Sequence, residues 1–265
     1  MPFNVPGIDH VPDPLRVLVA LGIALFLVLL RLDAERFGAA EYDDVDAEGN
    51  RPSVLRRLAW YVIGVSGIVA VAALHPAPSS GLYLALGERL GVLVLGLFYG
   101  VAGCVIAVGI AYIRYREVRV PGVFSYPGAV INAVATAFVD EAVFRGIVLG
   151  FLTIIGTPPV LAVIAQALLY GLATRVGARG RSTLMLFGVL AMGLAGGWLT
   201  VVTGGIGAAF LGHAITRVAI FFSTGHAGLL APRGTEPEEV AERRRTPDGW
   251  QVLDADAAAA AEQDR

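Results

Sequence analysis

Three ionisable side chains, Asp140, Glu141 and Arg145, stand close together in Thr136-Ala-Phe-Val-Asp-Glu-Ala-Val-Phe-Arg-Gly146, a stretch otherwise suited to lipid. No other charge occurs between Gly128 and Leu152. A charge left at bilayer depth costs about 3 kcal/mol on insertion scales, so such residues turn inward and find partners. On a helix Glu141 and Arg145 are four apart and share a face, within reach of an ion pair. Asp140 points about 100° away from Glu141 and addresses a different groove. Further along, Gln166, Tyr170 and Thr174 recur every four residues and line one face, as do His213, Thr216 and Arg217. Gathered around one cavity, Glu141, Arg145, Tyr170, Thr174, His213 and Arg217 form a set for acid–base chemistry. A carboxylate beside a water is a general base, and a neutral His or an Arg stabilises an oxyanion.

The elements that must position these groups are membrane helices. Of the 265 residues 56% are hydrophobic and the mean hydropathy is +0.69, which excludes an ordinary soluble chain. Seven apolar runs, at 15–30, 58–74, 90–113, 127–153, 158–174, 183–202 and 206–223, approach or exceed the length that crosses about 30 Å of hydrocarbon. The fold class expected is therefore an all-α, polytopic transmembrane bundle of about seven spans. All 20 basic residues are Arg. They concentrate in alternate connections: Arg31, Arg36, Arg51, Arg56 and Arg57, then Arg114, Arg116 and Arg119, then Arg175, Arg179 and Arg181. The positive-inside rule then puts the N-terminus outside and the C-terminus inside. The first run is followed by Arg31 and Asp33, not by a small-residue cleavage site, and reads as a retained span.

Four regions follow from this layout: an extracytoplasmic start over 1–14, spans one to three over 15–124, a core of spans four to seven over 125–223, and a polar, disordered cytosolic tail over 224–265. Two prolines and two glycines between Val118 and Gly128 preclude a continuous helix there. That segment is expected to be an interfacial elbow with Phe124 and Tyr126 at headgroup level. Gly188, Gly193, Gly196 and Gly197 suit the sixth span to close helix approach. Cys104 is the single cysteine, so neither an intrachain disulfide nor a Cys-rich metal site is possible. No basic patch suited to nucleic acid appears. Asp140, Glu141 and His213 offer metal-ligand types but lack a spacing such as His-x-x-x-His, so no metal is assigned; cofactors stay unspecified.

Order and spacing of these residues carry a resemblance. Asp140-Glu-Ala-Val-Phe-Arg-Gly146 resembles the Glu-Glu-x-x-x-Arg-Gly motif of the CAAX protease and bacteriocin-processing family of intramembrane endopeptidases, which includes the type II CAAX prenyl proteases. Asp140 replaces the first Glu. Ala167-Leu-Leu-Tyr-Gly-Leu-Ala-Thr174 resembles that family's Phe-x-x-x-His helix, with Tyr170 for Phe and Thr174 for His. Phe187-Gly-Val-Leu-Ala-Met-Gly-Leu, the turn Thr203-Gly-Gly-Ile206 and Ala209-Phe-Leu-Gly-His213 follow in family order, up to a His-x-x-x-Asn or Asp motif in which Arg217 takes the last place. The resemblance covers about residues 125 to 223. It implies that Glu141 activates the water attacking a scissile carbonyl, that a second-motif His helps hold the water, and that a third-motif His and Asn stabilise the oxyanion. This chain keeps Glu141, Arg145 and His213 and lacks the other two.

Two main expectations result. In the first, the chain is a membrane-embedded endopeptidase of the cell membrane, with Glu141 as base and His213 as electrophilic partner, acting on a hydrophobic or membrane-tethered peptide or protein. Glu141 and His213 should then face one cavity, roughly 4 to 8 Å apart, with room for a shared water. Arg217 should enter that cavity and Thr174 border it. In the second, the departures at Thr174 and Arg217 leave a catalytically silent scaffold or chaperone. A proton-coupled transporter relaying through Asp140 and Glu141 is a third reading, but no duplicated half or pair of broken helices supports it. For Asp140, Glu141 and Arg145 the competing structural reading is an ion network between helices; for Gln166, Tyr170 and Thr174 it is interhelical hydrogen bonding. His10, His75 and His226 lie outside the spans or at their ends and are not expected to be catalytic.

Overall fold

A computed structural model describes residues 10–39, 54–115, 119–121, 127–175, 183–224 and 250–252. The acidic stretch from Glu41 to Glu48, the elbow residues Phe124 and Tyr126, Arg179 and Arg181, and most of the C-terminal tail lie outside them. Each of the seven apolar runs is a helical rod: α1 (Asp13–Leu32), α2 (Val54–Leu74), α3 (Arg89–Tyr115), a composite rod, α6 (Pro159–Arg175), α7 (Thr183–Thr203) and α8 (Gly207–Thr224). The composite rod consists of α4 (Pro127–Asp140), a π-helical stretch (Glu141–Val148) and α5 (Leu149–Ile154). Asp140 and Leu149, at the two joints of this rod, both have right-handed helical backbones, so the chain passes through without a break.

Four helices are long and apolar enough to cross a membrane: Asp13–Leu32, Val54–Leu74, Arg89–Ile113 and Leu186–Thr203. Their outer surfaces show Leu18, Leu55, Phe98 and Val105 more than half exposed, a distribution suited to a lipid solvent and costly in water. This is an all-helical, multi-pass membrane protein. One short exception is an antiparallel ladder pairing Arg119–Pro121 (β1) with Trp250–Val252 (β2).

Local sequence sets the rod ends. At the end of α5 Gly156 is left-handed (φ 87°), with Gly156 N–H donating to the Thr153 carbonyl and Thr157 N–H to that of Leu152. This double closure needs a residue without a Cβ, and Pro158 and Pro159 then start α6. Gly204 (φ 73°) ends α7, with Gly205 N–H on the Thr200 carbonyl. The same turn is clasped from outside: Ile206 N–H reaches the carbonyls of Tyr83 and Ala85, and Gly207 N–H that of Leu86. The start of α8, the helix that bears His213, is thereby fixed to the α2–α3 connection.

Small residues let the helices close. Along α3, Gly96, Gly100 and Gly103 face Ala208, Leu211, Ile215 and Thr216 of α8, and a Cβ on Gly103 would fall 1.9 Å from Thr216 Oγ1. On the other side α1 and α2 pack together against the composite rod, burying Leu27, Leu30 and Trp60 with Val139, Val143 and Phe144. The rod is thus held between α1–α2 and α8, which explains how adjacent charges at its centre find different partners.

Candidate active site

The π-helical stretch begins at Glu141. Eight residues bonded i to i+5 form a wide turn, a rare geometry that recurs at functional sites and persists only when tertiary contacts hold it. From Glu141 to Ile147 every residue is buried, including two charged ones. Glu141 and Arg145 are both 0% exposed, a burial tolerated only with partners.

Glu141 Oε1 lies 2.6 Å from His213 Nδ1 of α8, and Arg145 Nε lies 3.2 Å from Glu141 Oε2. The carboxylate is therefore flanked on both oxygens. In the tautomer with the proton on Nδ1, His213 donates to Glu141 and leaves Nε2 as an acceptor. Tyr170 Oη, from α6, stands 3.5 Å from that Nε2. The Tyr170 ring also lies under the Arg145 guanidinium, whose Cζ is 4.0 Å from the ring centroid, a cation–π contact. Three rods thus meet at one cluster.

α7 completes the wall through glycine. A Cβ on Gly196 would sit 3.3 Å from Arg145 Nε and 3.6 Å from Glu141 Oε2, so the backbone of α7 passes directly over the pair. The Met192 carbonyl accepts from Arg145 Nη2 (3.4 Å) and from Tyr99 Oη of α3 (3.0 Å). Arg145 Nη1 is buried with no hydrogen-bond partner among the described residues. Tyr99 carries no signal in the sequence, because one Tyr among the apolar residues of α3 stands out only once α8 is docked beside it.

Asp140 faces the other way, as its 100° offset required. Its Oδ1 is 2.6 Å from Arg31 Nε of α1, with Arg31 5% and Asp140 0% exposed. By its place in the sequence Arg31 belongs with the loop arginines that set topology; in the structure it is a buried residue of the last turn of α1. Preceding Asp140 on the same face of α4, at four-residue intervals, are Thr136 and Asn132. Thr136 Oγ1 donates to the Ala39 carbonyl at 3.1 Å and stands 2.9 Å from Tyr61 Oη of α2, which also donates to Asn132 Oδ1. The i, i+4, i+8 spacing of Asn132, Thr136 and Asp140 is a readable signal for this polar seam.

Other predicted residues have separate roles. Gln166 Nε2 donates to the Gly193 carbonyl at 2.7 Å and to the Val163 carbonyl, joining α6 to α7. A Cβ at Gly197 would fall 2.4 Å from that same nitrogen. Thr174 Oγ1 donates back along its own helix to Tyr170 and Gly171. Arg217, one turn beyond His213, is 1% exposed and within electrostatic reach of His213 and Tyr61. Between Glu141 and His213 the structure corrects one expectation: in place of a 4 to 8 Å gap there is a direct hydrogen bond. The wide π turn and the clasped start of α8 bring the two side chains together. Among the described residues no group of three or more His, Cys, Asp or Glu side chains gathers as metal ligands.

The fold and this cluster define a multi-pass helical membrane protein with a fully buried Glu–His–Arg site at the meeting of its central rods. The segment 122–219 matches the family described as Rce1-like, type II CAAX prenyl endopeptidase Rce1-like. It contains Asp140, Glu141, Arg145, Tyr170, His213 and Arg217, whereas Arg31, Tyr61 and Tyr99 lie before it. No curated protein and no solved structure matches the chain.

Proposed function

We propose that the protein is an intramembrane endopeptidase that hydrolyses a peptide bond with water activated by the Glu141–His213 pair. The observation that carries this reading is their 2.6 Å contact within a segment of a peptidase family. With Nδ1–H given to Glu141, the acceptor toward water is Nε2 of His213, beside the Tyr170 hydroxyl, and Glu141 stabilises the imidazolium that forms, as an acid–His pair does in acyl transfer. Water loses a proton to the pair while its oxygen bonds to the carbonyl carbon. The tetrahedral oxyanion collapses, the C–N bond breaks, and the proton passes to the leaving amine. Arg145 Nη1, a buried donor with no hydrogen-bond partner among the described residues, and the neighbouring Arg217 are the candidates to stabilise the oxyanion.

The substrate class is a hydrophobic or membrane-tethered peptide or protein, since the site sits among apolar rods. The alternating arginine loops support seven spans with the N-terminus outside, in the cell membrane. The test is purified protein in liposomes offered a panel of membrane-tethered peptides, wild type beside Glu141→Gln. Cleavage that disappears in the variant supports the role; equal cleavage by both refutes it.

A second reading, a catalytically silent scaffold or chaperone, is favoured by the full burial of Glu141 and the engagement of both its oxygens, together with Thr174 and Arg217 at the second and third motif positions. Thr174→His combined with Arg217→Asn separates the two. Cleavage that appears only in the double variant marks the wild type as silent. Wild type already cleaving as fast discards the silent reading.

A further inference from the structure

Asp140 is the charged residue of the Asp-Glu-x-x-x-Arg stretch that pairs with α1 instead of facing His213. It is fully buried and immediately precedes the π-helical stretch. Its partner, Arg31, belongs to α1, about 90 residues before the segment that matches the peptidase family. The side chain that neutralises this carboxylate is therefore supplied by the N-terminal helices.

Arg31 is itself held. Trp60 Nε1 of α2 donates to the carbonyl of Leu30 at 3.0 Å, fixing the backbone one residue before Arg31. Three further bonds join the same side of α4 to α2 and the segment after α1: Tyr61 with Asn132, Tyr61 with Thr136, and Thr136 with the Ala39 carbonyl. Leu27, Leu30 and Trp60 share one apolar cluster with Val139, Val143 and Phe144, and Gly64 admits Val139. The seam thus runs along α4 and ends at the residue where the backbone changes from α to π. Glu141 is the next residue, on a different face, bonded to His213.

We propose that Arg31 is a positioning residue: its ion pair with Asp140 anchors the start of the π-helical stretch and thereby sets the contact between Glu141 and His213. Only the kinetic consequence rests on the peptidase reading; the geometric consequence is independent of it. The reason is mechanical. Consecutive residues share one backbone, so an Asp140 released from α1 is free to turn away from that side and carries Glu141 with it. A displacement near 1 Å in a catalytic group costs on the order of 100-fold in rate.

The experiment uses full-length protein in micelles, labelled with 15N-histidine. An Nδ1–H given to a carboxylate at short distance appears as a far-downfield proton, assigned to His213 by its loss in His213→Gln. Arg31→Gln is expected to shift or abolish that resonance, and Arg31→Lys to retain it. Tyr61→Phe, which weakens the same seam without touching the ion pair, is expected to leave it in place, which a merely structural role for Arg31 would not distinguish. Where a peptide substrate is cleaved, kcat falls roughly 100-fold in Arg31→Gln with KM unchanged, and Arg31→Lys recovers most of it. Should Arg31→Gln fail to fold, Arg31→Gln with Asp140→Asn removes both charges of the pair; the same loss of the resonance is expected.

Two results overturn the proposal: a folded Arg31→Gln or double variant with the His213 resonance unchanged, or a Tyr61→Phe protein that loses it equally. A wild-type protein that cleaves nothing counts against the peptidase reading alone, since the resonance still decides the positioning role.

Discussion

His213 Nδ1 and Glu141 Oε1 are 2.6 Å apart although 72 residues separate them in the chain. The contact joins the first turn of the π-helical stretch to the middle of α8, and Arg145 closes the carboxylate from the other side. A pair so joined loses function as a unit.

Glu141→Gln and His213→Ala are each expected to lower peptide cleavage by about 10²- to 10⁴-fold, and the double variant by little more than the worse single one. Steady-state rates on a cleaved membrane-tethered peptide measure both effects. Losses that multiply would show that the two residues act separately.

The approach of α3 to α8 makes a packing prediction. A Cβ on Gly212 would lie 2.2 Å from the Tyr99 ring and 3.0 Å from the Gly96 carbonyl, whereas one on Gly22 or Gly109 meets nothing within 4 Å. Gly212→Ala should therefore destabilise by about 1–3 kcal/mol, and Gly22→Ala should be neutral or slightly stabilising. Thermal unfolding in micelles ranks the two, and equal midpoints would refute the close packing.

Tyr61 bridges α2 to Asn132 and Thr136 through one hydroxyl. Tyr61→Phe keeps the ring and its edge contact with Trp60, removing only that oxygen. Leaving the Asn132 acceptor short of a donor should cost about 1–3 kcal/mol. Asn132→Ala in the same background should then add less than it does alone, as a double-mutant cycle would register.

His75, just past α2, makes stability depend on pH. Burial holds its pKa below the ordinary histidine value, aided by the nearby Arg16. Its Nδ1 accepts from Ala77 N–H at 3.1 Å, which requires the neutral ring. Since the folded pKa is the lower one, the contribution is complete above the unfolded value of about 6.5 and is lost as pH falls from there through the folded pKa. The unfolding midpoint should drop between pH 7 and pH 5, and less steeply in His75→Phe, which keeps the ring against Phe151. Parallel profiles would sink this assignment.

Hydropathy alone located the helices. The run read at 15–30 is α1 (Asp13–Leu32), that at 127–153 is the composite rod (Pro127–Ile154), and that at 206–223 is α8 (Gly207–Thr224), because an apolar run and its Gly or Pro boundaries are local properties of the chain. The four-residue spacing likewise put Arg145 on the face of Glu141, and the one-residue offset sent Asp140 elsewhere. Tertiary structure decided the rest. Arg31 looks like any loop arginine until α1 is laid against the composite rod, where it meets a buried carboxylate. The π-helical stretch leaves no mark in composition, since its wide turn is held by the helices on either side. Nor does sequence spacing show that Glu141 touches His213 directly: that distance is set by how closely α8 approaches the rod, which depends on the clasp at Thr203–Gly207 and on the glycines of α3. Periodicity fixes which face a residue takes, while helix packing fixes what that face meets.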